Sequence, residues 1–424
     1  MTIALNPDAI DLKQFLKPGD HVVWGQGCAE PSCLVEALID QAPQIGSISA
    51  FTASSFSGLV DAKAGAAFTL YSMGTVGNLR AVAAAGLLNI IPCHVGQIGS
   101  MIEAGLIGCD VAFVQVSPAD QEGNHSFGLA SDYVRAAVAK ARIIVAEVNE
   151  QVPYSMGDAV LSAAQIDFMV PVSRPPIEVS APQIGETDRA IARFASEFIS
   201  DHAVLQVGVG AVPEAILSLL RDRRDLGVHS GMVGDALVDL VQSGVVTNAT
   251  KPFDQGISIT GALLGTRKLY DFAHRNPLIG MRDQTYTHGE SVLIRIPNLV
   301  TLNSALEVDL SGQVNAEQSG NTYVGGTGGQ VDFVRGGSRA PNGHSIIALP
   351  STAKGGTISR ITASLAGPVT TARSEVDIIV TEFGAAQLKG QTLAERARRL
   401  VSIAHPAFRE GLEQAAHAIA KRGF

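Results

Sequence analysis

Short runs of apolar, largely β-branched residues recur along this chain, and most are continuous rather than alternating. They include His21–Gly25, Ile48–Thr52, Asn89–Pro92, Asp110–Val116, Arg142–Val148, Ala203–Val207, Ser291–Ile296, Ser345–Leu349 and Asp377–Thr381. A strand with one wet face alternates apolar and polar residues. A strand covered on both faces does not. Helical patterns lie between many of the runs: Pro31–Gln41, Asn78–Gly86, Ile98–Gly105, Ser131–Ala141, Pro213–Leu220 and Ala236–Val241. Strand–helix alternation predicts an α/β fold built on open, mostly parallel sheets flanked by helices.

The pattern restarts once. A polar, proline-bearing stretch runs from Arg174-Pro175-Pro176 to about Asp188, followed by a helix over Ala190–Ile199 and a new strand that exits in Gly208-Val-Gly210. The first half has its own glycine exit, Gly25-Gln-Gly27, with Glu30-Pro31 before a helix. The second half echoes it with Pro213-Glu214. Two copies of one α/β unit are expected, residues 1–185 and 186–424, which suits a chain of 424 residues. The end of the chain reads as two helices, Leu393–Ile403 and Ala407–Lys421, split by His405-Pro406.

Composition narrows the function class. Hydrophobic residues make up 46% and charged residues only 17%, which excludes a disordered chain, a coiled coil and a collagen-like repeat. The net charge of −9 comes with no Lys/Arg block, a poor match to nucleic acid or an anionic membrane. It leaves room for one small anionic ligand in a local basic pocket. Cys28, Cys33, Cys93 and Cys109 form no disulfide framework and no zinc spacing, so no metal is expected. No signal peptide and no apolar stretch of membrane-spanning length are read, so a soluble cytoplasmic protein is expected.

The densest chemical signal is Gly325-Gly326-Thr327-Gly328-Gly329-Gln330, bracketed by apolar sequence. Such a cluster permits unusual backbone angles and lets N–H groups approach a ligand closely. It suits either phosphate binding or stabilisation of an oxyanion, and matches neither Walker A nor GxGxxG.

Around it stand Asn303-Ser-Ala-Leu-Glu-Val-Asp309, Gly312-Gln-Val-Asn-Ala316, Gly328-Gly-Gln-Val-Asp-Phe-Val-Arg-Gly336, Ala348-Leu-Pro-Ser-Thr-Ala353, Thr381-Glu-Phe-Gly384 and Ile403-Ala-His-Pro406. Upstream are Gly27-Cys-Ala-Glu-Pro31, Ser131-Asp-Tyr133, Leu205-Gln-Val-Gly-Val-Gly-Ala211 and Leu226-Gly-Val-His-Ser230. Together, over nearly the whole chain, these closely resemble the acetyl-CoA hydrolase/transferase family, the branch of family I coenzyme A transferases that contains 4-hydroxybutyrate CoA-transferase. The resemblance implies two similar domains with the active site between them, and a homodimer or higher homo-oligomer. It implies no permanently bound cofactor, with coenzyme A and acyl-CoA as substrates and a small carboxylate, dicarboxylates such as itaconate or succinate included, as acceptor. It implies a glutamate that attacks the thioester and carries the acyl group, then CoA. Oxyanion donors would come from Gly328, Gly329 and Asn303, with Gln206 beside them. Gly325, Gly326 and Gln330 would join Gly328 and Gly329 in holding CoA.

This sequence departs from the family where it matters most. The family's nucleophile follows His-Ser or His-Thr, and here His229-Ser230 is followed by Gly231. Glycine has no carboxylate. Glu30, Glu290, Glu307 and Glu317 are candidates to replace it, although Glu30, Glu307 and Glu317 stand where the family already has Glu. Two other readings stay open beside CoA transfer: hydrolysis by activated water, and CoA binding without turnover. His229, beside the lost nucleophile, is a candidate base, as are His94 and His125. Ser54–Ser57, Tyr71–Gly74 and His94–Gly99 are candidate pocket segments. Arg335, Arg339, Lys354 and Arg360 are candidates for the CoA phosphates. Cys28 could line the site, without an adjacent cation to activate it.

Overall fold

The computed structural model describes residues 2–422 and has two large, mostly parallel sheets with helices packed on them. The first half supplies β1 (Ile3–Ala4), β2 (His21–Trp24), β3 (Ser49–Phe51), β4 (Thr69–Ser72), β5 (Leu88–Ile90), β6 (Val111–Val116), β7 (Ile143–Asn149) and β8 (Phe168–Val172). They form one sheet in the order β1-β8-β7-β6-β2-β3-β4-β5, every pair parallel. The second half supplies β9 (Val204–Val207), β10 (Gly227–Val228), β11 (Leu299–Ser304), β12 (His344–Ala348), β13 (Ile378–Thr381) and β14 (Gly384–Gln387). Their order is β10-β9-β11-β12-β13-β14, with only the β13–β14 hairpin antiparallel.

The continuous apolar runs are explained by the cores they feed. Along β2 and β6, Val23, Ala112, Val114 and Val116 face one core, while Val22, Trp24, Val111 and Phe113 face another. Successive side chains of a strand point to opposite faces, so a sheet covered on both needs apolar residues at every position. Each fully buried Val or Leu contributes roughly 1.5–3 kcal/mol. The first of these cores also takes Leu205, Val300, Leu302, Ile346 and Ile378 from the second sheet. One continuous core therefore joins the two halves.

The helices used below are α1 (Ser32–Ile45), α2 (Val95–Glu103), α3 (Val134–Lys140), α4 (Glu186–Ser196), α5 (Ala211–Ser218) and α6 (Gln330–Arg339). Helix α4 begins at Glu186 and packs on α5, opening the second sheet's layer. The expected helices after residue 390 are α7 (Leu393–Ser402) and α8 (Pro406–Lys421), with Pro406 at the first position of α8.

One expected strand is a correction. Ser291–Ile296 is not extended: Glu290–Leu293 is helical. Leu293 and Ile296 are both fully buried, three residues apart, which is a helical rather than a strand spacing. The strand in this region is β11, which begins at Leu299 and lies in the middle of the second sheet.

Candidate active site between the two halves

In the first sheet the chain builds β3–β5 on one side of β2 and then returns to build β6–β8 on the other; in the second it places β10 on one side of β9 and then returns to build β11–β14 on the other. The switch in the second sheet falls between β9 and β11. Ligands of open α/β sheets sit beyond the carboxyl ends of the strands at such a switch. Gln206 and Asn303 stand near those ends, and Asn303 Nδ2 donates to Gln206 Oε1 at 3.2 Å. Residues far apart in sequence are thus paired by topology. Next to β9, strand β10 runs out into His229-Ser230-Gly231, where Ser230 Oγ lies within hydrogen-bond distance of both the Val207 and Met232 carbonyls, 3.0 and 2.8 Å away, with one proton to give.

The glycine cluster closes the site from above, wedged against the first half. Thr75 N–H donates to Gly325 O at 2.8 Å, and Val95 N–H to Gly328 O at 3.0 Å. Each glycine has its own reason. A Cβ on Gly74 would lie 2.5 Å from Gly325 O and 2.7 Å from Gly326 Cα, so backbone meets backbone there. Gly328 has φ +57, the left-handed region that favours glycine. Gly329 is the N-cap of α6 and makes no side-chain cap bond. Among the described residues, the N–H groups of Gly328 and Gly329 donate to no carbonyl or side chain. Two free N–H groups at a helix N-terminus suit a developing oxyanion.

Gly231 faces this cluster. A Cβ built on it would lie 2.5 Å from Cε1 and 2.6 Å from Nε2 of His288. A Cβ on Gly329 would lie 2.6 Å from Cδ2 and from Nε2 of the same ring. The imidazole tip of His288 therefore enters a notch between the two glycines. Phe333 of α6 packs against the ring with centroids 4.5 Å apart. His288 is 7% exposed, while Gly231, Gly328 and Gly329 are partly exposed, so the notch opens outward. Burial first, then the nearby His229, pushes His288 down to about 3, and the ring is neutral at ordinary pH.

The sequence candidates are distributed unevenly around this point. His229 is fully buried with neither ring nitrogen hydrogen-bonded. Burial and the buried Lys251 push it down to about 4. Glu30 is fully buried against Ser57, and burial raises it to about 7. Glu317 accepts from Thr370 Oγ1 at 2.7 Å and from Tyr323, bracing the base of the glycine cluster. Glu307 accepts from Asn315 Nδ2 at 2.8 Å. Glu290 is paired with Arg339, and Arg335 faces Glu375. None of these carboxylates is among the atoms nearest a Cβ on Gly231. Gln330 is buried and donates to Thr371 Oγ1 at 3.2 Å. Lys354 lies exposed on a hairpin tip, and Arg360 donates to Ala305 O at 3.4 Å. His94 precedes α2 beside the cluster, its Nδ1 buried without a partner. His125 is committed to Ser117 O at 2.7 Å. Cys28 is buried and pushed up to about 11 by that burial, so it is a thiol and not a thiolate. Among the described residues no group of three His, Cys, Asp or Glu could hold a metal, and no helix is long and apolar enough to cross a membrane.

His288, Thr287 and Phe333 went unremarked in the sequence. Their signal was indirect: a glycine leaves beside it a volume that another side chain fills.

Comparison with known proteins gives the family. The acetyl-CoA hydrolase/transferase N-terminal domain model matches residues 8–179 and its C-terminal domain model residues 265–416, leaving the segment with Gln206 and Gly231 between them. The chain is 42% identical over 329 residues to a 4-hydroxybutyrate coenzyme A transferase of Clostridium kluyveri, covering 77% of each chain. It is 36% identical over 408 residues to a succinyl-CoA:acetate/propanoyl-CoA:succinate CoA transferase of Fasciola hepatica, covering 95% of this chain and 85% of that one. The crystal structure of RipA from Yersinia pestis superposes with a TM-score of 0.91 at 33% identity, over 99% of this chain and 98% of that one. The chain belongs to the acetyl-CoA hydrolase/transferase family, as an enzyme of its CoA-transferase and acyl-CoA hydrolase group.

Proposed function

We propose that this chain hydrolyses a short-chain acyl-CoA thioester held in the cleft between its two halves. The observation that carries the reading is Gly231. Its nearest neighbours beyond the adjoining backbone are an imidazole and a phenyl ring, with no carboxylate among them to carry an acyl group. Uncommitted N–H groups of Gly328 and Gly329 remain opposite, where a thioester oxygen gains charge as it is attacked. Asn303, oriented by Gln206, is a further donor at the switch point. Water is then the acceptor that needs no covalent relay through the enzyme.

A second reading, CoA transfer to a small carboxylate such as succinate or itaconate, is favoured by the names of the relatives, which are CoA transferases. One assay separates them. Butyryl-CoA is incubated with the protein alone and with acetate, following free thiol and acetyl-CoA. Hydrolysis releases CoA thiol without acceptor. Acetyl-CoA formed only with acetate, and no thiol without it, overturns the hydrolase reading in favour of transfer. A cytoplasmic homodimer or higher homo-oligomer is part of the same proposal, checked by light scattering of the purified protein.

A further inference from the structure

We propose that His288 is the general base of this site, its Nε2 standing where the family's nucleophile would reach. The proposal rests on the hydrolase reading above and assigns a residue to it. Three observations carry it. First, Nε2 is the ring atom shared by both close approaches, 2.6 Å from a Cβ on Gly231 and 2.6 Å from one on Gly329. The imidazole tip thus lies between the turn that lost its carboxylate and the turn whose N–H groups are free.

Second, the hydrogen bonds accommodate the tautomer a base needs. With its one proton directed to Asp283 O at 3.1 Å, Thr287 Oγ1 accepts from His288 Nδ1, 2.9 Å away. In that arrangement Nδ1 carries the imidazole proton and Nε2 presents a lone pair, which the NMR experiment below reads directly. A ring held the other way round would offer a donor instead and could not take a proton. Third, Phe333 and the buried Thr287 hold the ring in place, so the lone pair keeps its direction.

The step balances without an added oxidant or reductant. Nε2 takes a proton from water as the water oxygen bonds to the thioester carbonyl carbon. The carbonyl electrons move onto its oxygen, opposite the N–H groups of Gly328 and Gly329. When that oxyanion collapses the C–S bond breaks, its electron pair leaves on sulfur, and the proton on Nε2 passes to the thiolate. The products are CoA thiol and a carboxylic acid that loses its proton to solvent. Thr287 is a positioning residue in this scheme.

The test uses the full chain, butyryl-CoA and its thioether analogue S-butyl-CoA. His288→Ala is expected to lower kcat about 100-fold or more with KM little changed, and added imidazole is expected to restore part of the rate. Thr287→Val is expected to lower kcat while leaving binding of the thioether intact. A folded His288→Ala variant that keeps wild-type kcat overturns the proposal. So does loss of activity that imidazole does not restore while His288→Gln restores it, since that pattern marks a space-filling role. Nitrogen NMR of the wild type reads the ring without turnover: Nε2 should be unprotonated and its resonance should move when S-butyl-CoA binds. A protonated Nε2, or thioether binding that leaves the resonance unmoved, removes His288 from the chemistry. A wild type that cleaves no thioester overturns the hydrolase reading and His288 as its base together, whereas cleavage with the resonance unmoved overturns His288 alone.

Discussion

Gly231→Ala is the smallest perturbation that probes the notch. Gly231 does not adopt a left-handed φ, so alanine carries no backbone cost and the effect is steric. The new methyl would sit 2.5 Å from Cε1 and 2.6 Å from Nε2 of His288, about 1 Å inside ordinary carbon contact. The ring cannot retreat freely: Gly329 backs its other edge and Phe333 packs at 4.5 Å. Swinging it out breaks the 2.9 Å contact to Thr287, worth about 1 kcal/mol. Overpacking adds roughly 1–3 kcal/mol, for a total of roughly 2–4 kcal/mol. With an unfolding entropy of about 2.1 cal/mol/K per residue, a chain of 424 residues shifts by about 1 °C per kcal/mol, so Tm falls by roughly 2–4 °C. The decisive comparison is a double-mutant cycle with His288→Ala, read by thermal and urea unfolding. Once the ring is gone the alanine methyl has room, so the double variant should be no less stable than His288→Ala alone, giving a coupling of roughly 2–4 kcal/mol. Gly231→Ala at wild-type Tm, or two costs that simply add, refutes the packing on which the notch rests. The same geometry governs the gain-of-function variant. Gly231→Glu alone should show no acetate-dependent transfer, because the ring blocks the carboxylate. Combining Gly231→Glu with His288→Ala makes space for it, and acetyl-CoA formation should appear first in that double variant.

Gly74→Ala drives a methyl to 2.5 Å from Gly325 O and should loosen the apposition of the two halves. Roughly 1–3 kcal/mol of stability and most activity should be lost, although the residue makes no contact with the notch. A fully active, equally stable variant contradicts that apposition. Asn303→Ala removes a donor paired to Gln206 and should reduce kcat by roughly 100-fold or more with KM nearly unchanged, as steady-state kinetics on butyryl-CoA would show. His288 is held at about 3, below its unfolded value, so only the unfolded chain takes up its proton as pH falls through about 6.5. Its stabilisation is complete above that pH and lost below it. The wild type should therefore lose roughly 1 kcal/mol per pH unit more than His288→Asn between pH 6 and 4 in urea titrations. Equal slopes would mean the ring is not buried as described.

Much of the fold was legible because its cause is local. Val111–Val116 is buried throughout, and a strand wetted on neither face announces itself as an unbroken apolar run. The second sheet was less legible at its centre. Leu299–Ser304 ends in Asn303 and Ser304, which point out of the core at the switch point. The Ser291–Ile296 run looked more like a strand, yet its buried residues follow a helical spacing. Burial, not composition, separates the two, and burial depends on neighbours that the sequence does not order.

The site shows the same limit more sharply. The pairing of Gln206 with Asn303 follows from strand order, which places the ends of β9 and β11 side by side across a long insertion. The glycine cluster could be read as functional, but not that its glycines serve different needs. Gly325 makes way for the backbone of Ala316, Gly326 for that of Met73 and Gly74 in the first half, Gly328 takes a left-handed turn, and Gly329 makes way for a ring. At Gly231 the sequence shows only a residue without a side chain. What that leaves room for lies fifty-seven residues later at His288, at the end of a short helical turn. A glutamate in place of Gly231 and the present His288 ring cannot occupy the same volume, since even the first carbon of the glutamate would overlap it. The two side chains are thus alternatives for one position in space. With His288 placed as it is, glycine at 231 is what leaves the ring its room. A change of chemistry from a carboxylate that carries an acyl group to an imidazole that moves a proton would need both sites to change together, and glycine is the residue that lets the second one in.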